Sequence, residues 1–260
     1  MTTRSSMLIS LPSLPTARYD EFTEWYVRLV DEMLSVPDGF WTAMLEVFDQ
    51  RLAGRIAGQT VLDVACGEGH LGRRLAHFGP GQITGVDISV NLLEYARQRN
   101  ASPGHAYRLD DAQTLATVGS ASVDVAVSCL ALMDIPDHER FFQAIWRVLV
   151  PGGTLMFSCL HPCFEAPFDE ESGPQFLTEG EERLGYLIRN YHRERPWQSG
   201  NAGLRDHFGA HHCTLSTLLN TLRQTGFKVT HLAEPVTPDE GLFSRVPRVL
   251  VVEVRKTGPA

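Results

Sequence analysis

The sequence predicts an α/β fold, a mostly parallel sheet with helices on both faces, and three observations predict it. Short apolar runs alternate with helical periodicity from Thr60 to Leu160, the pattern of strand–helix–strand units. The glycine-rich turn Gly67-x-Gly69-x-x-Gly72 joins the first run to a helix, and Asp87 ends the second run about 20 residues on. At 260 residues, 43% hydrophobic and 21% charged, the chain can bury a large core without disulfide support.

Residues 1–17 hold Pro12 and Pro15 with little periodicity and read as a mobile arm. Over 18–55 the pattern is helical. Phe22, Trp25, Tyr26, Leu29, Val30, Met33 and Leu34 follow i, i+3, i+4, i+7 spacing, Pro37-Asp38-Gly39 breaks the run, and a second helix covers Phe40 to Leu52. Strands are predicted at 60–65, at 82–87, ending near Leu109, and at 123–128 and 154–160. Helices follow the glycine turn to about Phe78, run from the cap Ser89 to Asn100, and start at Asp137 with Phe141, Phe142, Ile145 and Val148 as the apolar stripe. Pro151-Gly152-Gly153 turns the chain into the strand at Thr154. Residues 161–212 break the alternation. A structureless loop of that length does not suit a compact domain, so they read as an insertion over the carboxyl edge of the sheet. Leu215, Leu218, Leu219 and Leu222 mark a helix ending at Gly226, and two strands close the chain at 227–232 and 246–255, with Pro247 near the start of the last. The expected organisation is an arm (1–17), a helical lid (18–55), a central domain (56–160 with 213–260) and a cap (161–212).

Composition narrows the function. The net charge of −8, from 23 basic and 31 acidic residues, argues against a general nucleic-acid binder. No apolar run reaches the ~20 residues of a membrane span. The N-terminus lacks the apolar core of a signal peptide, so a cytoplasmic protein is expected, monomeric or homodimeric. Five scattered cysteines, Cys66, Cys129, Cys159, Cys163 and Cys213, read as reduced thiols. Cys159-x-x-x-Cys163 with His161 between them lacks a second close pair to complete a metal site. Lys228 and Lys256 are the only lysines.

A glycine turn between strand and helix lets a ligand approach the backbone and the free N–H groups of a helix start, and an acid at the end of the second strand accepts bonds from a ribose diol. By itself the pattern fits a nicotinamide or flavin dinucleotide, or S-adenosylmethionine. Asp63, on the first strand, would repel a pyrophosphate but suits an ammonium. The segment VLDVACGEGH resembles motif I of class I S-adenosylmethionine-dependent methyltransferases. GVDIS resembles their ribose segment, LDDAQTL their adenine loop, and the stretch from VDVAVSCLALMDIP to the Pro-Gly-Gly turn their fourth strand and following helix. Tyr19-Asp20-x-Phe22-x-Glu24-x-Tyr26 resembles a YDxxAxxY lid helix. The resemblance covers roughly 17–160 and 211–255. It implies a Rossmann-like, seven-stranded sheet with the last strand antiparallel, and S-adenosylmethionine as cofactor with S-adenosylhomocysteine as product. The cofactor residues it implies are Asp63 on the ammonium, Ala65, Gly67 and Gly69 in the loop, Asp87 and Ile88 at the ribose, and Asp111 and Ala112 at adenine. Cys129 at the end of the fourth strand and the tyrosines Tyr19 and Tyr26 closing over it complete the set. Cys66 reads as a small residue under the loop.

Ligands of such sheets bind outside the carboxyl ends of the strands. There His161, in LHPCFEAPF, and His212, matching a family histidine in HHCTLS, are the candidate catalytic bases. Cys213 replaces the arginine of the family pattern, removing a bidentate donor. Trp25, Phe168, Trp197 and His207 are the candidate acceptor contacts, with Phe164, Tyr191 and Phe208 as further aromatics. Arg189, Arg193 and Arg195 form a basic run that suits a solvated face or an anionic substrate group. The expected function is methyl transfer to an O, C or N atom of a small, secondary-metabolite-like acceptor, the histidines favouring O or C. The alternatives are an enzyme of this fold with another outcome, such as decarboxylation or cyclisation, a non-catalytic regulatory subunit that binds S-adenosylmethionine, and a nicotinamide-dependent oxidoreductase.

Overall fold

The computed structural model describes residues 18–99, 104–165, 167, 176–199, 204–237 and 244–257. The arm predicted at 1–17 and Phe168 lie outside them. Seven strands form one sheet: β1 (Thr60–Val64), β2 (Gln82–Asp87), β3 (His105–Leu109), β4 (Val123–Cys129), β5 (Leu149–Leu160), β10 (Phe227–Ala233) and β11 (Val249–Lys256), in the order β10-β11-β5-β4-β1-β2-β3. Pairs β1–β2, β1–β4, β2–β3 and β4–β5 are parallel, while β11 runs antiparallel to both β5 and β10. The sheet is therefore mixed, with the last strand reversed, as the sequence predicts.

Alternation along the strands assigns two cores. Leu62, Val64, Ala126, Leu155, Phe157, Leu250, Val252 and Val254 share one, packed by α5 (His138–Val148) through Phe141, Phe142 and Ile145 and by α7 (Leu215–Gln224) through Leu218 and Leu222. Val61, Val125, Val127, Met156, Val249 and Val251 share the other, packed by α2 (Phe40–Leu52) and α3 (His70–Leu75) through Met44, Phe48, Leu71 and Leu75. Glu253 falls on this second face. It is buried, and Arg51 (2.8 Å) and Arg55 (3.1 Å) neutralise it.

Helix starts follow the predicted caps. Asp137 accepts from Arg140 N at 3.0 Å, and Ser89 Oγ accepts from Leu92 N ahead of α4 (Val90–Arg99). Two boundaries differ. β5 begins at Leu149, because Pro151-Gly152-Gly153 is taken up as a bulge, where pairing with β4 shifts from Val123–Leu149 to Val125–Thr154 and Gly152 is left-handed. β11 begins at Val249, two residues after Pro247, which has no N–H for the ladder.

Sheet close-packing leaves no room at Gly85. A Cβ there would lie 2.7 Å from Tyr107 Cδ1 and 2.9 Å from Cys66 Sγ. Gly85→Ala is expected to destabilise the fold by about 1–3 kcal/mol through overpacking, read as a lower urea midpoint.

The lid is α1 (Thr23–Ser35) preceded by a 3-10 turn at Arg18–Asp20. Asp20 Oδ1 accepts from Ser89 Oγ (2.5 Å) and Asn91 N (3.2 Å), and Asp31 pairs with Arg99 at 2.8 Å. These bonds tie the lid to α4 and its cap. The segment between β5 and α7 holds a hairpin, β6 (Phe176–Glu179) with β7 (Glu182–Tyr186), and a short ribbon, β8 (Pro196–Trp197) with β9 (Ala210–His211). The short helix α6 (Leu204–His207) lies between the ribbon's strands.

Candidate functional site

The carboxyl ends of β1, β2, β3 and β4, the lid and the cap ribbon enclose one cavity of about 710 Å³. Its sheet end is built by chain geometry. Ala65 and Gly67 both take left-handed backbone, φ 54° and 55°, where β1 turns toward α3. Asp87, at the last position of β2, accepts from Gly67 N (2.8 Å) through Oδ2 and from Ser89 N (2.8 Å) through Oδ1. Each oxygen keeps a lone pair for a ligand hydroxyl. Burial raises the Asp87 carboxyl above its ordinary range, and the backbone bonds oppose that. After β3 the two neighbouring acids both line the cavity but differ in what they bind. Asp110 is consumed by the loop, accepting from Ala116 N, Thr117 N and Thr117 Oγ1. Asp111 forms a local turn with Gln113 N (2.8 Å) and lines the cavity with Ala112.

Of the residues predicted for the cofactor, Tyr19, Tyr26, Ala65, Gly67, Asp87, Ile88, Asp111, Ala112 and Cys129 line this cavity. Asp63 and Gly69 do not. Asp63 shares the face of β1 that carries Val61, so its carboxylate lies beneath the glycine loop and accepts from Gly72 N at 3.0 Å. Burial raises its pKa to about 7. Asp63 thus supports the loop and does not line the cavity, while its charge acts on Asp87 and Cys129, which do. Gly69 is the left-handed residue at the start of α3, where a Cβ would meet Tyr107 Oη at 2.5 Å. Its role is close packing. Burial drives the thiol of Cys129 up to about 12, and that of Cys66 well above its ordinary value, so both stay protonated.

The two predicted bases are not in this cavity. His161 is buried with both ring nitrogens engaged, Nε2 with Glu234 Oε1 at 2.8 Å and Nδ1 accepting from Cys163 N at 3.2 Å. It locks the chain where β5 ends. His161→Ala is expected to cost about 1–3 kcal/mol of stability and leave kcat within about threefold, measured on the folded fraction. His212 is also buried. Its Nε2 bonds to the Tyr191 carbonyl at 2.8 Å, and its side chain lines a separate small cavity with His138 and Cys159. Trp25 and His207 pack on each other, ring centroids 4.8 Å apart, outside the cavity wall. Of the predicted acceptor contacts among the described residues, Trp197 alone lines it.

What the sequence reading missed is His211. His211, the last residue of the ribbon, lines the main cavity, whereas His212, one residue beyond the strand, borders only the small cavity, which His211 also borders. No hydrogen bond engages its ring among the described residues. Burial lowers its pKa. Asp134 opposes that, and Arg18 adds to it. Asp134, also missed, lines the same wall and is held by Arg205 Nη1 (2.6 Å) and Tyr19 Oη (3.1 Å). Tyr19 stacks on Phe208 at 3.9 Å and 8°, closing the lid on the cap. Only adjacency in sequence to His212 could have pointed to His211.

Among the described residues no helix is long and apolar enough to cross a membrane, and no group of three His, Cys, Asp or Glu side chains could hold a metal ion. Residues 62–157 match the family described as a methyltransferase domain. A ubiquinone biosynthesis O-methyltransferase of Bordetella avium is 34% identical over 115 residues, 43% of this chain and 47% of that protein. One of the same name from Coxiella burnetii is 28% identical over 196 residues, 73% of this chain and 81% of that one. The chain spans about half the length of the first of these relatives. The solved S-adenosylmethionine-dependent methyltransferase of Mesorhizobium loti superposes with a TM-score of 0.68 at 28% identity, covering 82% of this chain and 97% of that one. The left-handed loop at Ala65 and Gly67 and the acids Asp87 and Asp111 fit a nucleoside-bearing sulfonium cofactor. Residues 62–157 thus match a methyltransferase domain, set in a chain with the fold of the class I S-adenosylmethionine-dependent methyltransferases.

Proposed function

We propose that the protein transfers a methyl group from S-adenosylmethionine to an oxygen of a small acceptor bound between the strand ends and the cap. His211 takes the acceptor's proton. The observation that carries this is that His211 shares one cavity with Asp87 and Asp111. The O-methyltransferase name of the relatives supports the choice of oxygen.

Asp87 holds the ribose hydroxyls, and Asp111 and Ala112 the adenine edge. When bound, the cofactor supplies a methyl group on a sulfonium sulfur that leaves as a neutral thioether, so no acid is needed on that side. Alignment is then the protein's main contribution, worth roughly 7–11 kcal/mol when reacting atoms are held in line. Tyr19, Phe208 and Trp197 exclude water and offer flat apolar walls. The new bond joins acceptor oxygen to methyl carbon, and the acceptor proton passes to a ring nitrogen of His211. Because burial lowers its pKa, His211 is neutral and able to accept at pH 7.

Calorimetric titration with S-adenosylmethionine and with NAD⁺, followed by assay of S-adenosylhomocysteine release on a panel of phenols, amines and keto acids, tests the reading. Saturable binding of the sulfonium cofactor with turnover on phenols is expected. Binding of the nicotinamide instead, or turnover confined to amines, would overturn it.

A further inference from the structure

The base of the proposed transfer gains a positive charge as it works, and the fold sets a carboxylate beside it. Asp134 ends a 3-10 turn, Leu132–Asp134, that follows β4 and packs directly on β9, the strand that ends at His211. Both side chains line the main cavity. Arg205 Nη1 donates at once to Asp134 Oδ1 (2.6 Å) and to the carbonyl of Gly209 (2.8 Å), two residues before His211. Tyr19 Oη donates to Oδ2 (3.1 Å). Asp134 is thus tied to the ribbon by Arg205 and to the lid by Tyr19, and each oxygen keeps a lone pair. The other charged or titratable groups around the ring at the cap end are Arg18 and Arg195 in the main cavity and His138, Glu165 and His212 in the small one. Glu165 is engaged by Arg248 (3.3 Å) and Tyr186 (3.2 Å). Burial lowers the pKa of His138 and of His212. Asp134 favours a protonated His211, and Arg18 acts more weakly against it.

We propose that Asp134 is a positioning residue for the transfer, its carboxylate stabilising the imidazolium that His211 becomes on taking the acceptor's proton. This rests on the methyl-transfer reading above. As the acceptor's O–H bond breaks, its electron pair forms the bond to the methyl carbon and its proton joins a ring nitrogen of His211. Positive charge therefore arrives on a half-buried ring, where a nearby opposite charge counts for more than it would in water. Arg205 and Tyr19 hold the carboxylate in place beforehand, so nothing need reorganise as the charge forms.

The test is the profile of kcat against pH on the full chain, at saturating S-adenosylmethionine, with the phenol of the panel above that is turned over fastest. Wild type is compared with Asp134→Asn and with Asp134→Asn combined with Arg205→Gln. Asparagine keeps the shape of the carboxylate and removes its charge. The combined variant leaves no buried guanidinium without its partner, so it decides the matter if Asp134→Asn does not fold. Without the carboxylate the imidazolium is disfavoured, so the acid limb is expected to move to lower pH by about 0.5 or more, while the plateau falls about tenfold. A residue that only supports the wall would lower the folded fraction without moving the limb. In the His211→Gln background, Asp134→Asn is expected to cost less than about threefold more, because the group it acts through is gone. An acid limb that stays in place or moves up, or a tenfold loss undiminished in the His211→Gln background, would overturn the proposal and leave methyl transfer standing. A wild-type protein that releases no S-adenosylhomocysteine with any phenol, or an acid limb that survives His211→Gln, would overturn both.

Discussion

His211→Gln is expected to lower kcat on a phenolic acceptor by about a hundredfold or more, with little change in the affinity for S-adenosylmethionine. General-base catalysis is worth roughly 10²–10⁴, and glutamine keeps the polarity and reach of the ring without its basicity. The wild-type profile of kcat against pH should show an acid limb with its midpoint below 6.5, the ordinary histidine value. The sign follows from the surroundings. Burial disfavours the imidazolium most, Asp134 opposes it, and Arg18 adds a smaller push in the direction of burial, so the pKa is lowered. A lowered pKa means the neutral base is present through pH 7, and activity is lost only as pH falls through that pKa. Tyr19 stays protonated because burial and Asp134 both raise it, so it adds no limb near neutrality. Loss of the acid limb in His211→Gln, at saturating cofactor, would separate a base from a residue that only shapes the wall. A limb that survives would remove His211 from the chemistry.

Asp87→Ala is expected to weaken S-adenosylmethionine binding by about 1–3 kcal/mol, roughly 5- to 150-fold in Kd. Two effects add. The charge-assisted bonds to the ribose hydroxyls disappear, and Gly67 N and Ser89 N lose their acceptor at 2.8 Å each. Asp87→Asn keeps an acceptor for one of those N–H groups and should fall between wild type and alanine. Calorimetric Kd values with thermal midpoints for all three proteins check this. Unchanged affinity in Asp87→Ala would remove the carboxylate from the cofactor site.

The sheet end of this site was legible in the sequence because its geometry is local. A strand, a glycine turn and a helix place Gly67 at the cavity, and the end of the next strand places Asp87 there, within about 20 residues of chain. Asp63 shows where local reading stops. Its type and spacing matched a ligand contact, yet strand alternation turned its side chain to the face packed by α3. The same holds for Gly69, whose left-handed backbone serves packing against Tyr107.

The cap was not legible, because its contacts join residues far apart in sequence. His161 and His212 looked free for chemistry and are bound to Glu234 and Tyr191, partners 73 and 21 residues away. Asp134 meets Arg205 across 71 residues and Tyr19 across 115. By itself the sequence determined the strand order's raw material, the two apolar faces and the sheet-end ligand loop, since periodicity and turn chemistry act over a few residues. Only the tertiary structure decided which histidine and which carboxylate line the acceptor half. His211 ends the ribbon at the main cavity and His212, one residue beyond, is held by the Tyr191 carbonyl, contacts that exist only in the folded chain.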